Sequence, residues 1–130
     1  MNKILVEVSV GELLDKISIL EIKKNKIKNS EKLKFIAEEH AILKDQLVQN
    51  VKSDDKLNSL FLSLKEINAK LWVIEDDKRV CEKNKDFGEN FIKLSRDVHF
   101  LNDDRAKIKL EMNEHTGSTI KEIKEYTKYN

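Results

Sequence analysis

Leu33, Ile36, His40, Leu43, Leu47 and Val51 recur at alternating spacings of three and four residues, which lays them along one face of a helix. The same period runs through Leu57, Leu60, Phe61, Leu64, Ile67, Leu71 and Ile74, and again through Phe91, Leu94, Val98, Leu101 and Met112. Nearer the start, Leu13, Leu14, Ile17, Leu20 and Ile27 share one stripe while Ile19 and Ile22 point away from it. That helix has two apolar faces and calls for two neighbours.

Between the stripes stand residues suited to helix ends. Ser9-Val10-Gly11-Glu12 has the form of a capping box, with Val8 and Leu13 at the spacing of a hydrophobic staple. Asn29-Ser30 and Ser53-Asp54-Asp55 offer side-chain caps to the next two helices, Gly88 breaks the chain before the fourth, and Thr116-Gly117-Ser118 stops it. The pattern predicts four helices at roughly 10–28, 31–51, 54–83 and 89–115, in an all-α antiparallel bundle of long, coiled-coil-like hairpins. Ile4, Val6, Val8 and Val10 alternate ahead of the first helix, predicting a short extended segment with no partner strand. In the tail, 116–130, Ile120, Ile123 and Tyr126 have helical spacing, and both a docked short helix and pairing with the N-terminal segment stay open.

Composition narrows this picture. Proline is absent and there are only three glycines, so nothing interrupts the long helices and no linker divides the 130 residues, which we expect to form a single domain. The 25 basic residues nearly balance the 24 acidic ones, which removes the long-range basic field of a nucleic-acid or anionic-membrane binder. Cys81 is the only cysteine, so there is no internal disulfide, and a cytoplasmic location is expected. The opening residues are too short and too acidic an apolar run for an export signal, and no stretch approaches a membrane span.

Candidate chemistry lies where polar residues continue an apolar axis. Asn68, Trp72, Glu75 and Arg79 extend the line of Leu57, Phe61 and Leu64; Asn102, Arg105 and Lys109 extend that of Phe91, Ser95 and Val98; Lys24 falls among Leu13, Ile17 and Leu20. Of the three arginines, Arg79, Arg96 and Arg105, two fall on these inward lines. A guanidinium is costly to bury unpaired, so Arg79 and Arg105 should have defined partners. In one reading Glu75 and Asp76 neutralise them within an internal network, and the molecule is a structural or protein-interaction module. In another, Lys24, Arg79, Arg105 and Lys109 outnumber Glu75 and hold a small anionic ligand such as a phosphosugar, nucleotide or dicarboxylate, with Asn68 and Asn102 orienting it and Trp72 either stacking on it or filling the core. A third reading makes Glu75 an acid or base in an enzyme that works by electrostatic preorganisation; chorismate mutase works in this way, but its first-helix arginine has no counterpart here.

No metal site is expected, because His40, His99 and His115 lack a second imidazole or a Glu-x-x-His pair. No cofactor is implied. Glu12-Leu13-Leu14-Asp15 has the Glu-x-x-Asp spacing used for magnesium by helical pyrophosphatases, without a matching Glu-x-x-Glu helix before it, and the capping box accounts for Glu12. A homodimer is expected from the uncovered Ile19, Ile22 and N-terminal segment.

Three blocks, residues Val8 to Lys23, Asn68 to Arg79 and Asn102 to Lys109, resemble a family of small bacterial and phage proteins known as a domain of unknown function. The resemblance spans most of the chain and departs at Asp97-Val98-His99-Phe100, where a Ser-Val-Tyr-like run is the family's pattern. It implies an association with surface-polysaccharide and glycosyltransferase functions, which suits a phosphosugar or nucleotide-sugar ligand.

Overall fold

The computed structural model describes residues 3–129 and is all-α, with helices α1 (Val10–Lys26), α2 (Ser30–Asn50), α3 (Asp55–Lys83) and α4 (Glu89–Thr116). The start of each of the first three is set locally. Ser9, Asn29 and Asp54 sit in extended backbone and accept hydrogen bonds from the amides of Glu12, Lys32 and Leu57, at 3.1, 3.0 and 2.8 Å. The capping box is only half made: the Glu12 carboxylate turns to Lys109 and Lys16 instead of back to the cap. Gly117 ends α4 in the left-handed region, and the Ser118 amide returns to the Asn113 carbonyl at 2.9 Å.

Successive helices run antiparallel, and α1 packs against all three others. Leu14, Leu57, Leu64 and Met112 form the centre of the core, joined by Val10, Leu47, Val51, Leu60, Phe61 and Ile108. Because α1 lies inside the bundle, its second apolar face is covered as well: Ile22 is buried and Ile19 half-buried. The expectation of an open face there is corrected, and a homodimer loses that support. Glu21 ties α1 to both neighbours, accepting from Lys65 of α3 at 3.0 Å and meeting His40 of α2 at 3.1 Å. Burial opposes the charge on Glu21, but His40 and Lys65 together hold it below the ordinary carboxylate range.

Gly11 permits the crossing of α1 and α4. A Cβ there would stand 2.7 Å from the Lys109 carbonyl oxygen and 3.1 Å from Asn113 Oδ1. The approach lets the Gly11 amide donate to Asn113 Oδ1 at 2.7 Å, while Nδ2 of the same buried amide has no partner among the described residues.

At 1.5 Å per residue, the 29 residues of α3 run roughly 43 Å and the 17 of α1 roughly 25 Å, so the α3–α4 hairpin outreaches α1. Val73, Val80 and Ile92 are about half exposed on this hairpin. Residues 3–9 are non-helical and exposed up to Val8, and among the described residues no strand forms. The tail to Tyr129 is neither helix nor strand paired with the N-terminus; Asn130 lies outside the described residues.

Candidate functional site

Asp15 is the centre of the polar cluster. It is 2% exposed, and its carboxylate accepts two hydrogen bonds from one edge of the Arg105 guanidinium, Nε to Oδ1 at 3.0 Å and Nη2 to Oδ2 at 2.5 Å. Asn68 Nδ2 donates to Asp15 Oδ1 and to Ser18 Oγ, each at 2.8 Å, and Ser18 Oγ donates to the Asp15 carbonyl. Lys109 Nζ lies 3.8 Å from Asp15 Oδ2, 2.7 Å from Glu12 and 2.9 Å from Glu122 of the tail. Three helices and the tail thus converge on two cations and three carboxylates.

The electrostatics follow from these contacts. The Asp15 hydrogen bonds hold Arg105 above its ordinary value against the opposing effect of burial. Burial works against the Lys109 charge too, but Glu12 and Glu122, with the nearby Asp15, raise Lys109 above the usual lysine range. The Lys109 contact, helped by Lys124 at 3.0 Å, brings the Glu122 carboxyl down to about 2.

Asn68, Asn102, Arg105 and Lys109 therefore come together as the sequence pattern places them, with Asn102 Oδ1 accepting from Arg105 at 3.4 Å. Their partners correct one expectation. Arg105 is neutralised by Asp15 and not by Glu75 or Asp76, which are exposed. Lys24 is corrected as well: it is exposed near the end of α1, 3.0 Å from His40 Nδ1, and joins neither cleft described below. Glu12 and Asp15 are the Glu-x-x-Asp pair of the sequence, and the fold uses that spacing to present both carboxylates to α4.

Two clefts flank the cluster. The first, of about 250 Å³, is polar and lies between Glu12, Asp15, Asn102, Arg105, Lys109 and the tail. Its cations and carboxylates offset one another. The second, of about 330 Å³, is walled by Ile19, Ile22, Leu71 and half-buried Trp72, with Glu75, Asp76 and Arg79 at its exposed rim and Arg105 behind. Among the described residues Arg79 closes no ion pair, in contrast to Arg105 and Lys109. No group of three or more His, Cys, Asp and Glu among the described residues is arranged to hold a metal, and none of the described helices is long and apolar enough to cross a membrane.

Residues from all three blocks that carry the resemblance line the second cleft. No curated protein and no solved structure matches the chain. The profile of a family described as a family of unknown function, DUF6165, matches residues 4–129, and the chain belongs to that family.

Proposed function

We propose that the protein is a small binding module whose ligand sits in the cleft between α1, α3 and α4, with the Asp15–Arg105–Lys109 cluster behind it as scaffold. One observation carries this reading: Arg79, which closes no ion pair among the described residues, stands at the rim of a cleft walled by Ile19, Ile22, Leu71 and Trp72. Apolar walls with a few convergent polar groups are the usual composition of a ligand pocket, and the indole face can stack on a flat body.

The lining also limits the ligand's charge. Arg105 is already matched by Asp15, which leaves Arg79 facing Glu75 and Asp76. A dianionic sugar phosphate gains little in such a setting. A compact ligand with an apolar body, one carboxylate for Arg79 and an ammonium for Glu75 or Asp76 is matched on every side. An apolar or aromatic amino acid, free or at the end of a peptide, has that chemistry. Glu75 is exposed and lacks the buried setting that tunes an acid or base, so the reading contains no catalytic step.

The test is thermal unfolding at low salt against aromatic and aliphatic amino acids, monocarboxylates, sugar phosphates, nucleotides and nucleotide sugars, since a ligand selective for the native state raises the midpoint. Stabilisation by a zwitterion with an apolar side chain, lost in Arg79→Ala and Trp72→Ala, is expected. Stabilisation strongest with dianions and insensitive to Arg79→Ala would move the site to the polar cleft.

A second reading, a protein-interaction module, is favoured by the surface of the α3–α4 hairpin, where Val73, Val80 and Ile92 are about half exposed. A flat response across the panel, with a partner protein whose binding is lost on Val80→Lys, would support it.

A further inference from the structure

The tail after Gly117 is held by a few side chains rather than by backbone pairing. Its root is tied where Ser118 Oγ accepts from the Val10 amide at 3.2 Å and donates to the Ile120 carbonyl at 2.7 Å. Beyond the root, two contact points hold it. Glu122 reaches Lys109 at 2.9 Å, and seven residues on, the Tyr129 hydroxyl donates to Asp103 while its ring meets His99 and Phe100 edge-on, at centroid distances of 5.4 and 5.6 Å.

Between these points the tail does not seal the helix beneath. A space of about 350 Å³ lies between residues Glu122 to Tyr129 and the α4 residues Asp103, Ala106, Lys107 and Leu110. Ile123, Tyr126 and Tyr129 stay more than half exposed, so the tail buries little apolar surface. Gly117, with φ of 68° and nothing within 4 Å of where a Cβ would be, gives the segment an unobstructed hinge.

A non-helical segment held by one carboxylate and one tyrosine is how a docked peptide is held, and here the chain supplies the peptide itself. We propose that the α4 surface from Lys109 to His99 is a docking site for a non-helical segment of a partner protein, carrying a carboxylate and, seven residues later, a tyrosine, which replaces the chain's own tail. The ion pair sets the register, the aromatic contact and the Asp103 hydrogen bond select tyrosine, and the apolar strip of Ala106 and Leu110 accepts the side chains between. The tail acts as an intramolecular competitor. A short tether places it at an effective concentration on the order of millimolar, so a partner must exceed that to displace it.

The experiment uses the full chain carrying Glu122→Ala and Tyr129→Ala, which empties both contact points and leaves every groove residue intact. The probe is a fluorescein-labelled peptide of residues 118–129, followed by anisotropy. Saturable binding to this variant is expected, at least tenfold weaker binding to the wild-type chain, and loss of binding when the peptide carries the same two alanines. Tyr129→Ala alone, a milder change in the tail, is the second recipient should the double variant lose its helical circular dichroism. A folded recipient that ignores the peptide, or binds the alanine peptide equally well, overturns the proposal. Sedimentation of the wild-type chain supplies the remaining arm. A monomer is expected; a dimer that disappears in the double variant overturns the assignment to a foreign segment and gives the groove to the tail of a second copy.

Discussion

Replacing Asp15 with asparagine keeps the volume of the side chain and removes its charge. Arg105 then loses both carboxylate contacts, 3.0 and 2.5 Å long, and Lys109 loses one of three acidic neighbours. The new amide must also place an N–H against Arg105 or Asn68, both donors to this carboxylate. Removing one partner of a buried ion pair costs roughly 3–5 kcal/mol. The Arg105 side chain keeps 28% exposure, so water recovers part of the loss, and about 2–4 kcal/mol is the expected change. Against a total near 5–15 kcal/mol this is a large share, and the midpoint should fall by about 10 °C or more. Urea denaturation followed by far-ultraviolet circular dichroism reads it directly, with the denaturant slope unchanged. A loss under about 0.5 kcal/mol, the scale of an exposed pair, would mean instead that Asp15 is hydrated in the native state and that the buried pair does not hold the three helices. The paired change Asp15→Leu with Arg105→Met should restore most of the stability, since apolar residues of similar volume can replace a buried ion pair.

Other parts of the fold give separate tests. Gly11→Ala gains helix propensity but drives a methyl against the Lys109 carbonyl 2.7 Å away, so a net loss of about 1–3 kcal/mol is expected in the same denaturation assay. Lys85, between α3 and α4, has φ of 56°, and Lys85→Gly should stabilise by about 0.5–1 kcal/mol, read as a higher thermal midpoint. The folded Glu122 carboxyl titrates near 2, below its usual 4.5, so its ion pair adds stability above pH 4.5 and loses it as the pH falls toward about 2. Nuclear magnetic resonance titration of the Glu122 side chain should give that low midpoint, and a midpoint near 4.5 would detach the tail from Lys109.

What the sequence made legible was local. Ser9, Asn29 and Asp54 cap their helices through hydrogen bonds to the third residue on, and the periodic stripes of α2, α3 and α4 reappear as their covered faces. Asp15 is hidden in the sequence because its partner Arg105 is 90 positions away and because α1 packs against three other helices. A central helix has no single apolar axis against which a polar residue stands out, and Lys24 was misplaced by the same assumption. Arg79 and Glu75 continue the axis of α3 but stand at the rim of the cleft beside Ile19 and Ile22, so alignment with a core face left them exposed. The tail was undecided for a related reason, since two separated side-chain contacts leave no periodic trace.

Trp72 is the only tryptophan in the chain and forms a wall of the proposed ligand cleft, so its emission reports on that cleft alone. The most direct measurement is a fluorescence titration with aromatic and aliphatic amino acids, in the wild-type protein and in Arg79→Ala. A saturable change in Trp72 emission is expected, with affinity at least tenfold weaker once Arg79 is gone. A ligand that stabilises the fold while Trp72 emission stays unchanged, or one that binds equally well without Arg79, would contradict it.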